Sequence, residues 1–369
     1  MDEFQERRIK RERVVEYLRA NGLDGVLLAR RCNFSWYTCG GHNHVGLASE
    51  TGPSFLLITG DGAKVLTNNI EATRLRDEEF PDGGVEVVEF PYYDAAAAAE
   101  TFAKEVGSMK VATDCPAPGL DAPLLGRGFD RLRWQLTDAE KDRYRALSRD
   151  HVSALEEVAR QVQPGQTENE IAGMIGAALY ARNCNFWAVF VGADGRIMKY
   201  RHPLPTRNRI KKYFMLIACA ERCGLISSCT RLASFGGVGE QLAAKHRAVA
   251  VVDAAMIGAT RPGAKLCEVY AEAQAAYAST GHPDEWKLHH QGGPCGYLAR
   301  DVIANPSDET EILSEQAFAW NPSITGTKSE DTMLCLEAGP EILGTSDDWP
   351  RLEVNWKGTS LSRPDILTL

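Results

Sequence analysis

Residues Trp286–Tyr297 read WKLHHQGGPCGY. Two adjacent histidines, His289 and His290, precede Gln291 and the pair Gly292-Gly293. Imidazole is a common metal ligand, and glycine lets backbone close around a bound group. Taken alone, the stretch invites a metal reading. Its surroundings point elsewhere.

The flanking chain alternates in the manner of strands. YFMLIACAE (213–221), CGLISSCTRLASF (223–235), QAFAWNPSITG (316–326) and DTMLCLEAGPEILG (331–344) are predicted as antiparallel strands and hairpins. Helices come between them. LTDAEKDRYRALSRDHVSALEEVARQV starts at a capping box of Thr137 and Glu140. After the Pro164-Gly165 turn, Thr167 and Glu170 make a second box. RPGAKLCEVYAEAQAAYASTG (261–281) repeats the style, which suggests an internal duplication. Residues 136–369 are thus expected to form an α+β domain, with helices covering one side of a curved sheet.

Residues 1–135 carry a different pattern. GVLLAR, SFLLITG, AKVLTN, VEVVEF and KVATD are short strands, set between helical segments such as RVVEYLRANGLD and DAAAAAETFAKEV. This is an α/β layer. The Pro- and Gly-rich segment PAPGLDAPLLGRGFDRLRWQ closes it and marks the domain boundary.

Composition narrows the function. A net charge of −9 argues against nucleic acid as a partner. No apolar run has the length a membrane span needs. The N-terminus reads as a charged helix without the apolar core of an export signal. The ten cysteines form no C-x-x-C pair, so they are expected as reduced thiols in a cytoplasmic protein, with Cys219, Cys223 and Cys229 packed structurally.

In order and separation, QPGQTENEI, YRHPLPTRNR, CGLISSCTR, RPGAKLCEVY, HHQGGPCGY, AWNPSITG and KSEDTMLCLEAG resemble the pita-bread superfamily of methionine aminopeptidases, prolidases, Xaa-Pro aminopeptidases and creatinase. The resemblance covers nearly the whole chain. It implies an α/β N-terminal creatinase-type domain plus an α+β pita-bread C-terminal domain, and a homodimer. Peptidases of this group hold two metal ions on two Asp, one His and two Glu. Carried over position by position, those ligands fall on Ile217, Ser228, Gly293, Asn321 and Glu330. Only Glu330 keeps its ligand chemistry. A dinuclear centre needs carboxylates to offset the repulsion of its cations. The resemblance therefore implies no metal and no other cofactor.

Creatinase, of the same fold, hydrolyses a carbon–nitrogen bond in a small guanidino compound without metal. Its pattern places His202 and Glu330 as the catalytic pair. Its further acidic residue falls on Thr230. His202 is expected to move protons near neutral pH. Lys328 shares a strand face with Glu330 and is expected to keep it ionised. Arg231, His289, His290, Gln291, Asn321 and Lys328 are the expected substrate contacts. His289 and His290 should point to opposite sides if their segment is extended. His42 and His44, in NFSWYTCGGHNH, are expected to reach a partner subunit's site. The reading is a metal-independent hydrolase or lyase acting on a C–N bond of a small molecule. Two alternatives stay open: a Xaa-Pro-type peptidase with an aberrant metal site, and a non-catalytic binding protein.

Overall fold

The computed structural model describes residues 2–369. The chain divides into two compact units, Met1–Arg133 and Trp134–Leu369.

The first unit is a mixed five-stranded sheet. Its strands run in the order Glu86–Phe90, Ala63–Asn68, Thr51–Thr59, Gly25–Arg30, Val111–Thr113. Phe55, Leu57, Leu66, Leu27 and Phe102 fill one face, Phe102 coming from the helix Ala95–Val106. The N-terminal helix Glu3–Asn21 is capped by Asp2, whose side chain accepts from the Gln5 N–H. It ends at Gly22 in the left-handed region, φ 63°. It also buries an ion pair: Lys10 Nζ donates to Glu6 at 2.5 Å and to the Trp36 carbonyl at 2.5 Å.

The second unit holds two four-stranded sheets. One runs Asn185–Ala193, Tyr213–Arg222, Leu225–Ser234, Leu367–Thr368; the other Gly292–Cys295, Gln316–Trp320, Asp331–Leu336, Gly339–Ile342. They meet along a seam. The Thr230 N–H donates to the Glu330 carbonyl, the Ser228 N–H to Thr332 Oγ1, and the Ile226 N–H to the Gly296 carbonyl. The helix Asp138–Gln161 braces the seam, with Tyr144 Oη donating to the Ile226 carbonyl at 2.5 Å. Both Thr-Glu capping boxes form as expected. Behind the second sheet, Trp320, Phe318, Val249, Tyr270 and Tyr277 join one core. Trp320 belongs wholly to that core, its Nε1 donating to Thr260 Oγ1.

The suspected duplication is written in the backbone. Gly165 and Gly263, both with positive φ, donate to the carbonyls of Ile210 and Ile312. Ile210 and Ile312 donate back to Gln166 and Ala264. Glu168 and Leu266 donate to Asn208 and Thr310; Asn169 and Cys267 donate to Thr206 and Asp308. The same four-bond ladder clamps each helix start to a later segment.

Candidate functional site

Strand alternation sorts the side chains at the seam onto two faces. On one face, Ser228, Thr230, Lys328 and Glu330 turn toward each other. Glu330 Oε2 accepts from Thr230 Oγ1 at 2.7 Å and pairs with Lys328 Nζ at 2.9 Å. Its Oε1 accepts from Arg300 Nη2 at 2.9 Å. Arg300 Nη1 also donates to Ser228 Oγ at 3.1 Å, and Ser228 Oγ lies 3.4 Å from Cys219 Sγ. Burial raises the Glu330 pKa. The Lys328 and Arg300 charges and the Thr230 bond outweigh that and hold it at about 2. Glu330 is ionised at neutral pH, as the shared face with Lys328 predicts.

Arg231 belongs to the opposite face, which corrects its expected role in the cleft. It is 2% exposed. Its Nε donates to Glu156 and its Nη1 to Asp331, each at 2.8 Å. Arg363 joins the same buried network, donating to Asp331 and Asp253. Buried and paired with two carboxylates, Arg231 is held inside this network rather than in the cleft. Gln291 is likewise structural. It is fully buried, accepts from Tyr277 Oη, and donates to the carbonyls of Trp286 and His289.

Beside the charged group stand three imidazoles. His202 Nε2 and His289 Nε2 are 3.2 Å apart, with ring centroids at 4.9 Å. The His289 and His290 rings are 4.5 Å apart and inclined by 31°, and His290 lies 5.7 Å from His202. The expected opposite orientation of His289 and His290 is therefore not what forms. Their segment is irregular and becomes strand only at Gly292, so strand alternation does not apply. His202 is exposed and packs on Phe190; His289 is buried. Burial, reinforced by the Lys328 charge, lowers the pKa of His202 and takes His289 well below its ordinary range. Burial and the Arg300 and Lys328 charges bring His290 to about 4. All three are neutral bases at physiological pH. The Lys328 charge acts on all three rings, and Arg300 and Glu330 act on His202 and His290, so imidazoles and ion pairs make one site.

Asn321, expected as a substrate contact, is 2% exposed. Its N–H donates to the Gln291 carbonyl, and its buried Oδ1 has no hydrogen-bond partner among the described residues. His42 and His44 lie in the first unit, ring edge to ring face at 5.4 Å. The His42 N–H donates to Glu79, and its carbonyl accepts from Arg74.

A model of metallopeptidase family M24 matches residues 142–337, over half of the chain. The chain belongs to family M24. The pita-bread fold follows, and solved structures share it throughout. A Xaa-Pro dipeptidase from Bacillus anthracis superposes with a TM-score of 0.76 at 17% identity, covering 98% of this chain and 100% of that one. A dipeptidase from Pyrococcus horikoshii OT3 gives 0.78 at 17% identity, with the same coverage. The N-terminal domain of the FACT complex subunit SPT16 from chickpea gives 0.69 at 14%, covering 93% and 96%. No protein of curated function matches the sequence.

The family name implies metal ions, and the donor set of this M24 chain can be tested against them. Ile217 and Gly293 offer no donor atom. Ser228 Oγ is held by Arg300, and Glu330 by Arg300 and Lys328. At Gly293, φ is +154°, and an added Cβ would lie 2.2 Å from the Val302 carbonyl oxygen. The backbone itself has closed over the place where a histidine side chain would start. These residues do not fit two metal ions.

Arg300 is the site residue that sequence reading missed. It follows the glycine-rich run in GYLARD and matches no quoted motif. The signal available was its chemistry: a second cation near a lone closing glutamate.

Proposed function

We propose that this M24 chain is a metal-independent hydrolase or lyase that cleaves a C–N bond of a small polar molecule. The observation that carries it is the pairing of Glu330 with Arg300 and Lys328. Two protein cations meet the only carboxylate left among the five ligand positions. His202, exposed and hydrogen-bonded to His289, is the proton carrier. Which ring donates depends on the tautomer; either arrangement leaves one proton shared between two neutral bases. Glu330, held near a pKa of 2, is a poor proton shuttle at neutral pH. Its role shifts from acid–base partner to anchor, fixing Lys328 and Arg300 where developing negative charge would meet them. The proposal keeps the protein cytoplasmic and homodimeric, with His42 and His44 offered to the partner's site.

A panel of amides, ureas and guanidino compounds, assayed for amine or ammonia release with and without EDTA, tests this. The proposal expects chelator-resistant turnover that falls about 10²–10⁴-fold in His202→Gln. Turnover of an Ala-Pro dipeptide that required Mn²⁺ would establish the peptidase reading instead. The fold shared with the chickpea domain keeps a binding protein as the third reading, identified by a ligand bound without turnover.

A further inference from the structure

The three imidazoles form a group separate from the five family ligand positions. A tetrahedral zinc ion with Zn–N bonds of about 2.0–2.1 Å spaces its nitrogens about 3.3 Å apart. His202 Nε2 and His289 Nε2 already stand at 3.2 Å. One ligand atom from each of the three histidines lies within 4.8 Å of the others, and coordination requires a further shift of the half-buried His290 ring, whose Nδ1 accepts from the Gly292 N–H at 3.2 Å. The backbone favours this convergence. Gly292 has φ +90°, and an added Cβ would sit 2.1 Å from the Ala319 carbonyl oxygen. Only glycine suits the chain there, two residues after His290.

We infer that His202, His289 and His290 form a three-imidazole seat for one first-row transition ion of the zinc or copper class, and that its occupation silences turnover. The first part stands on geometry alone. The second rests on the proposed role of His202, because a coordinated Nε2 has no lone pair left to take a proton. Imidazole selects zinc, copper, nickel and cobalt over magnesium, calcium and manganese. Three protein ligands leave a fourth position for water or a substrate donor. Lys328 and Arg300 oppose a nearby dication, and Glu330 partly offsets them. The seat is therefore weaker than a structural zinc site, with an expected Kd on the order of micromolar.

Titration of the purified full chain with zinc chloride by calorimetry, and with cobalt(II) chloride by visible absorption, tests the seat without any substrate. One equivalent of Zn²⁺ should bind, and Co²⁺ should give tetrahedral d–d bands that Zn²⁺ displaces. His290→Ala, with circular dichroism confirming its fold, should weaken both by at least about 10-fold. No binding by the wild-type chain, or equal binding by His290→Ala, overturns the seat. Binding that leaves C–N turnover undiminished overturns the silencing while leaving the seat in place.

Discussion

Arg300 reaches Glu330 Oε1 at 2.9 Å and Ser228 Oγ at 3.1 Å, so one guanidinium joins the second and fifth ligand positions carried over from the metal-binding relatives. Arg300 is 11% exposed at its side chain, and Glu330 is 2% exposed. Removing one partner of such a pair leaves a buried charge undercompensated. Arg300→Met should cost about 2–4 kcal/mol in urea unfolding. Lys328 and Thr230 still hold Glu330, so the variant should fold. Unchanged stability would show that the pair contributes nothing.

Arg231 separates structure from function. Arg231→Met strands Glu156 in the interior and leaves Asp331 with Arg363 alone, an expected loss of about 3–5 kcal/mol. At a temperature where the variant remains folded, substrate KM should stay within about twofold of wild type, an effect below about 0.4 kcal/mol. A large rise in KM with little loss of stability would return Arg231 to the cleft.

Gly293→His restores a family ligand in name only. Its Cβ would meet the Val302 carbonyl at 2.2 Å, and φ of +154° suits glycine alone. The variant should lose about 3 kcal/mol or more and gain no metal in elemental analysis. A stable variant that took up manganese would show that the backbone yields.

His151 sets a pH dependence. It is fully buried, with Nδ1 3.1 Å from Ser227 Oγ and no partner for Nε2 among the described residues. Burial and the Arg231 charge lower its pKa from 6.5 to about 4. The unfolded chain takes up a proton below about 6.5 while the folded chain does not, so folding is favoured above that pH. The contribution, about 3 kcal/mol in full, is lost as pH falls from about 6.5 to about 4. His151→Leu should flatten that part of the stability profile in urea unfolding at stepped pH. An unchanged slope would place the titration on another group.

Much of this was legible in the chain. The Thr137–Glu140 and Thr167–Glu170 boxes formed because capping depends on local spacing alone. Lys328 and Glu330 met as their i, i+2 spacing predicts, although no single strand carries both: Lys328 ends Thr327–Lys328 and Glu330 immediately precedes Asp331–Leu336. The same parity, applied across the seam, would have placed Arg231 with the helix Asp138–Gln161, opposite Thr230. Arg300 was hidden for another reason. It reaches Glu330 from a non-strand segment thirty residues earlier, and only the tertiary path brings the two together. Gln291 looked like a binding amide because sequence does not show that Tyr277 and two carbonyls already use it.

The central claim is that this M24 chain has exchanged two metal ions for its own cations. Crystals grown in about millimolar Mn²⁺, with diffraction collected at the manganese edge, test it most directly, since that concentration far exceeds any working affinity of a dinuclear site. The account predicts no anomalous peak within coordination distance of Glu330, with Arg300 and Lys328 still on its carboxylate. A pair of peaks bridged by Glu330, with those two side chains displaced, would contradict it.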